Sequence, residues 1–207
     1  MELLEGRSLA EEIEATGRLA PIRCAVIAAA VCDVLAVAHE AGIVHRDVKP
    51  SNVFLHRALG DELVKVIDFG IAKLSDQASA GLESAGSRKT ATGTLVGTPA
   101  YMAPERLTGE PYDGGADVYA VGVMLYEMLT GQMPFEMNDG GYWGLVMQIT
   151  SRDPDPPASI EPAISAELDA IVLRAMSKIP AARPNALELA RALRGTVATY
   201  ERLASRG

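Results

Sequence analysis

His45-Arg46-Asp47-Val48-Lys49-Pro50-Ser51-Asn52 is the stretch whose reading decides the fold. Within eight residues it sets a carboxylate, an amine two positions later and a carboxamide three positions after that. A second acidic loop, Asp68-Phe69-Gly70, follows, its aspartate 21 positions after Asp47. A base, a further carboxylate and an amide ligand for magnesium, all on one rigid frame, are what a phosphoryl-transfer site needs. Between the two loops lie Val53-Phe54-Leu55 and Val64-Lys65-Val66-Ile67, short β-type runs, with Ala58-Leu59-Gly60-Asp61 as the turn. A small hairpin is therefore expected to join the two loops.

Outward from this centre the pattern turns helical. Ser8-Leu9-Ala10-Glu11 has the form of a capping box and starts a helix. Pro21 opens an Ala-, Val- and Ile-rich segment to about Glu40, apolar nearly all round, as suits a helix buried in a bundle, and Gly42 can end it. Residues 75–93 are rich in Ser, Ala, Gly and Thr without useful periodicity, the composition of a mobile loop. An apolar helix is expected over 117–130, stopped by Gly131. Pro154, Pro156 and Pro157 mark a loop, and helical patterns resume at 165–177 and 186–203.

The chain has 207 residues, 48% of them hydrophobic, enough for one domain with a sizeable core. Its formal net charge of −8 makes it a poor candidate for binding nucleic acid or an anionic membrane through bulk charge. Cys24 and Cys32 lie in the apolar helical stretch with no paired cysteine motif or clustered His, which reads as buried thiols in a reducing compartment. No basic leader opens the chain, and no uninterrupted apolar run approaches the roughly 18–20 residues of a membrane span; the longest candidate, 118–129, is short and contains Glu127. A cytoplasmic protein without a membrane segment is the expectation.

The ordered set of motifs resembles the large, C-terminal lobe of a Hanks-type (eukaryotic-like) bacterial Ser/Thr protein kinase. The HRDxKPxN and DFG elements carry the resemblance first. Gly97-Thr98-Pro99-Ala100-Tyr101-Met102-Ala103-Pro104-Glu105 resembles the end of the activation segment, Asp117-Val118-Tyr119-Ala120-Val121-Gly122 the start of the lobe's central buried helix, and Pro180-Ala181-Ala182-Arg183-Pro184 its late Arg-Pro motif. The implied fold is mainly α, a kinase-like C-terminal lobe with a small β-hairpin and without the N-terminal β lobe. Residues 1–207 would be a partial catalytic domain, 1–7 a hinge remnant and 8–207 the lobe.

The resemblance implies roles. Asp47 accepts or orients the proton of a substrate hydroxyl, and Lys49 offsets charge on the transferring phosphate. Asn52 and Asp68 give hard oxygens to magnesium, which uses few protein groups. Gly70 permits a sharp turn after the ligand. Thr98 bonds near Asp47 and Lys49, and the Lys49–Thr98 pair favours Ser/Thr over Tyr acceptors. Glu105 and Arg183 form a buried ion pair, Asp117 holds the backbone of the catalytic loop, and His45 stacks with Phe69 in an internal apolar spine. Arg46 pairs with a phosphate on the activation segment, for which Thr90, Thr92 and Thr94 are the candidate sites. His39 and His56 have no evident partners.

By the same resemblance Met1 aligns with the gatekeeper, residues 2–6 with the hinge, Glu2 and Leu4 offer backbone to adenine, and Phe54 and Ile67 lie beneath the ring. ATP and Mg2+ are the implied cofactors and a protein the implied substrate. The glycine-rich loop, strand lysine and helix glutamate of a small lobe are not among these residues. The chain can be a fragment, a product of a misassigned start, or a true truncation. The competing reading is an inactive kinase-like lobe serving as an interaction module, with self-association through the surface a small lobe would cover. Ser8 and Ser51 stand where arginine-directed kinases carry carboxylates, so no basic-substrate preference is read.

Overall fold

The computed structural model describes residues 5–58, 61–69, 99–137 and 139–204. Strand β1 (Gly6–Ser8) leads directly into helix α1 (Leu9–Thr16). The capping box forms as the sequence requires: the Ser8 hydroxyl accepts from Glu11 N, and the Glu11 carboxylate accepts from Ser8 N at 2.7 Å. Helix α2 (Pro21–Glu40) has Pro21 in its first turn and begins and ends where the apolar run does.

The hairpin between the signature loops is present and longer than expected, β2 (Val53–Ala58) pairing antiparallel with β3 (Asp61–Val66) in the register Val53↔Val66. It also gains a third strand that the sequence pattern did not announce. β1 pairs with β2, Gly6 opposite His56, to give the order β1-β2-β3. Gly6 permits this: its φ is +140°, and a Cβ there would fall 2.0 Å from the Leu55 carbonyl oxygen. Gly6 and Arg7, within the stretch expected as hinge, are thus laid along the hairpin.

After short helix α3 (Pro104–Thr108) comes α4 (Gly115–Thr130), the axis of the lobe. Every residue of α4 except Gly115 and Glu127 is buried. Gly131 ends it in a left-handed conformation, φ 71°, its N–H returning to the Glu127 carbonyl. Around it pack α2, α6 (Pro157–Ile160) and α7 (Ala166–Ala175), while the long α8 (Ala186–Ala204) lies along α2. Leu35, Tyr119, Leu125, Leu168 and Leu193 are among the fully enclosed side chains of one continuous core.

Two helices depart from the sequence reading. α5 (Gly141–Ser151) fills a stretch for which no element was expected; only Leu145 and Ile149 are buried, while Trp143 and Met147 face outward. α6 is a single turn within the proline-marked loop. α2 also corrects the search for membrane-length helices: with mean hydropathy 2.0 it is long and apolar enough to cross a bilayer. Its apolar residues have another use, since Ile27, Val31, Cys32 and Leu35 sit in the core.

Candidate active site

The catalytic-loop residues come together because the chain is tied at both ends of the motif. The 3₁₀ turn Pro50–Asn52 closes the loop, Asn52 N donating to the Lys49 carbonyl at 3.0 Å. Within the loop the Asp47 carboxylate oxygen Oδ2 accepts from Lys49 Nζ at 2.9 Å and from Asn52 Nδ2 at 3.2 Å. Asn52 Nδ2 also donates to the Asp47 carbonyl at 2.8 Å. The sequence-read base, its lysine and the amide therefore form one hydrogen-bonded set. The Asp47 and Lys49 side chains are 31% and 25% exposed.

The backbone beneath this set is fixed from α4. Asp117 Oδ2 accepts from His45 N and Oδ1 from Arg46 N, each at 2.8 Å. That double anchor is the role expected of Asp117, and it holds Arg46 at φ +70°, a conformation unfavourable for any residue with a Cβ. His45 links the two signature loops. Its Nε2 lies 3.1 Å from the Ile67 carbonyl oxygen, an acceptor only, so Nε2 carries the hydrogen and Nδ1 accepts from Asp47 N at 3.3 Å. The His45 and Phe69 ring centres sit 4.5 Å apart with their planes tilted by 49°, so the two rings are in contact but not stacked in parallel as expected.

The hairpin sets Asn52 opposite Ile67, the residue before Asp68: Ile67 N donates to the Asn52 carbonyl at 2.9 Å, extending the β2–β3 ladder one step. Asp68 is exposed with φ +58°. Among the described residues no three His, Cys, Asp or Glu side chains cluster as a metal cage. The donors fit magnesium nonetheless: both amide hydrogens' bonds point Asn52 nitrogen at Asp47, leaving the harder oxygen as the ligand atom, and Asp68 adds an exposed carboxylate. Phe54 and Ile67, the expected floor for a base, are half-buried. Glu2, Leu4, Gly70, Thr90, Thr92, Thr94 and Thr98, with the loop expected over 75–93, lie outside the described residues.

Further from the base, Glu105 and Arg183 form the expected buried pair, with contacts of 2.6 and 2.8 Å. Among the described residues, the buried Nε and one terminal nitrogen of Arg46 have no hydrogen-bond partner, and its guanidinium lies 6.0 Å from the Tyr112 ring centre, that of Arg106 at 5.3 Å.

Three features escaped the sequence reading. His39 and His56 do have partners: His39 Nε2 lies 2.9 Å from Asp117 Oδ2, and His56 Nδ1 is within hydrogen-bond reach of the Glu5 backbone. Both contacts span more than fifty residues, so no local pattern could announce them. The third is a cavity of about 470 Å³ next to the base, walled by Ile13, Glu14, Lys49, Ser51, Tyr101 and Glu127. Here the Tyr101 hydroxyl donates to Glu127 Oε2 at 2.5 Å. Burial raises the Glu127 carboxyl above its usual range, the tyrosine bond only partly offsetting it, and burial together with that carboxylate pushes the Tyr101 phenol up.

Comparisons with known proteins agree with this geometry. The protein kinase domain family matches residues 1–192. Serine/threonine-protein kinase Pkn1 of Myxococcus xanthus is 44% identical over 198 residues, covering 92% of this chain. Probable serine/threonine-protein kinase PknB of Corynebacterium glutamicum is 38% identical over 187 residues, covering 88%. The chain spans 27% of the length of each of these relatives. The crystal structure of the Mycobacterium tuberculosis PknI kinase domain C20A_R136A double mutant superposes with a TM-score of 0.68 at 26% identity, over 95% of this chain and 64% of that one. With the family matched along nearly all its length, and with Asp47, Lys49 and Asn52 hydrogen-bonded together and Glu105 paired with Arg183, the chain belongs to the protein kinase family and is similar to its bacterial eukaryotic-like serine/threonine members.

Proposed function

We propose that this chain is the large-lobe part of a serine/threonine protein kinase that transfers the γ-phosphoryl group of ATP to hydroxyls of protein substrates. The observation that carries the reading is the Asp47 carboxylate, held by Lys49 and Asn52 on a backbone that Asp117 pins. Asp47 orients an acceptor hydroxyl and takes its proton as the new P–O bond forms and the bond from the γ-phosphorus to the β,γ-bridging oxygen breaks, ADP leaving. Lys49, bonded to Asp47, stands where it can also meet the charge of the transferring group. Asn52 and Asp68 would hold the magnesium, which supplies charge neutralisation on the phosphates when bound. Phe54 and Ile67 give the purine an apolar floor.

The cavity beside Lys49 is suited to side chains of the acceptor segment, and Glu14 and Glu127 give it an acidic wall. Arg46, with two buried donors unmet, is suited to a phosphate dianion, and phosphorylated Thr90, Thr92 or Thr94 is the source proposed. The unpaired, buried Cys24 and Cys32 are in keeping with the reducing cytoplasm.

Asp47→Asn and Asp68→Asn test the reading in a protein that joins this chain to a complete small lobe. Each is expected to abolish transfer to a protein substrate while the fold survives, the replacements being nearly isosteric. Wild-type turnover in either variant would refute the assigned roles.

A further inference from the structure

Helix α1 buries Leu9, Ile13 and, between them, the charged residue Glu12, whose side chain is 2% exposed. A carboxylate is costly to desolvate, and an apolar residue of similar volume would pack the same face without that cost. What Glu12 has instead is two arginines from two other elements. Its Oε1 accepts from the Arg23 guanidinium in the first turn of α2, and its Oε2 faces Arg7 Nε on β1 as an ion pair. Arg23 reaches on to the Glu62 carboxylate of β3 at 2.9 Å. Two cations and two anions therefore alternate from β1 through α1 and α2 to β3.

Strand β1 has need of such a tie. It is three residues long, stands at the edge of its sheet and, among the described residues, pairs only with β2. Just ahead of it, Arg57 N donates to the Glu5 carbonyl at 2.8 Å, the last backbone bond between this stretch and the hairpin. The register bears on the site, because Ser8 lies opposite Phe54, the proposed floor for the purine. The chain running into β1 is the stretch expected as hinge. Arg7 stands between that stretch and Ser8, and Glu12 reaches it from a helix packed into the core.

We infer that Glu12 is a positioning residue for the nucleotide: through Arg7 it fixes β1 to the body of the lobe and so sets the hinge stretch relative to Phe54. The consequence for ATP rests on the kinase reading, but the hold on β1 is measurable without it.

Hydrogen exchange of the Arg57 amide in the 207-residue chain reports that hold. The Ile67 amide, bonded to the Asn52 carbonyl at the other end of the hairpin, and the Leu125 amide of α4 are the references. Arg7→Ala removes the tie and leaves Glu12 paired with Arg23, Arg7→Lys keeps a cation, and Glu12→Gln keeps the shape without the charge. The Arg57 amide should exchange about fivefold faster in Arg7→Ala and about tenfold faster in Glu12→Gln, with both references at wild-type rates. Arg7→Lys should stay within about twofold of the wild type. In a protein joining this chain to a small lobe, KM for magnesium ATP should rise about fivefold in Arg7→Ala with kcat unchanged, and Arg7→Lys should restore it.

Unchanged Arg57 exchange in Arg7→Ala overturns the inference. So does equal acceleration in Arg7→Ala and Arg7→Lys, because the bulk of the side chain and not its charge would then hold the strand. Acceleration of the Ile67 and Leu125 amides alongside Arg57 overturns it too, since Arg7 would then support the fold at large. Selective Arg57 exchange with a wild-type KM overturns the role toward the nucleotide. If the joined wild type transfers no phosphate, the kinase reading fails, and the exchange result alone decides whether Glu12 holds β1.

Discussion

Arg183 grips Glu105 with both ends of its guanidinium, at 2.6 and 2.8 Å, although the two residues lie 78 positions apart. The same guanidinium donates to the Gly115 and Ser177 carbonyls at 3.0 and 2.8 Å and sits 5.0 Å from the centre of the Tyr119 ring. Its donors are consumed by α3, the first residue of α4 and the segment before α8. With the two side chains 1% and 4% exposed, the pair is enclosed.

Removing one partner strands the other charge in the core. Arg183→Ala is expected to cost about 3–5 kcal/mol, because the Glu105 carboxylate loses its counter-ion and two carbonyls lose their donor. Thermal unfolding should show a drop of roughly 10 °C for a chain of this size. A melting temperature equal to the wild type would mean that water replaces the guanidinium at no cost.

Arg46 offers a second measurement. Its buried, unmet donors predict autophosphorylation within residues 90–94 in a protein carrying a small lobe, with the phosphate docking on this side chain. Phosphopeptide mapping reads the sites. Arg46→Ala should leave the modification chemically possible but uncouple it from activation. Modified sites lying only outside 75–98 would refute the assignment.

Lys178 makes stability depend on alkaline pH. Burial lowers its pKa from 10.5 to about 8, while the Phe135 ring, 4.3 Å from the ammonium, favours the charged form and works against that shift. Below about pH 8 the lysine is charged in folded and unfolded chains alike, so the whole penalty is present. Between about 8 and 10.5 the unfolded chain binds the extra proton, and the penalty fades as pH rises. Lys178→Met should therefore melt higher than the wild type at pH 7, by a margin that shrinks toward pH 10. A margin that is absent at pH 7 would show that the aromatic contacts fully offset burial.

A polypeptide of these 207 residues alone is expected to transfer little or no phosphate. Asp47, the proposed base, is among them, but these residues include no glycine-rich loop or strand lysine to lie over the nucleotide, and the loss of one such electrostatic donor costs roughly 10²–10³ in rate. Incubation with magnesium, labelled ATP and a generic protein substrate tests this. Label incorporation that disappears in Asp47→Asn would show that the lobe suffices by itself.

What could be foreseen in the sequence was what local chemistry determines. The Ser8–Glu11 cap, the limits of α2, the Gly131 stop and the hairpin between Asn52 and Asp68 all depend on neighbours a few residues away. So does the triad of Asp47, Lys49 and Asn52. The omissions have a common cause in contacts between distant segments. β1 exists because Gly6 can approach Leu55, and His39 has a partner because α4 brings Asp117 to it. The Tyr101–Glu127 bond likewise crosses from a turn to a helix. α5 was missed for a different reason: it opens on Gly141 and leaves Trp143 and Met147 outside, so its apolar residues mark no single buried face.

Helix α4 has a consequence beyond packing. Asp117, at its start, fixes the backbone under the base, and Glu127, ten residues on, walls the neighbouring cavity. Ten residues of α-helix advance about 15 Å. This helix is enclosed on nearly every side and has little freedom to bend or slide. On the proposed reading it would work as a ruler: the distance from the phosphorylated hydroxyl to an acceptor side chain reaching Glu127 would be set by a rod common to both. Acceptors would be selected by spacing along their own chain as much as by the identity of any one residue.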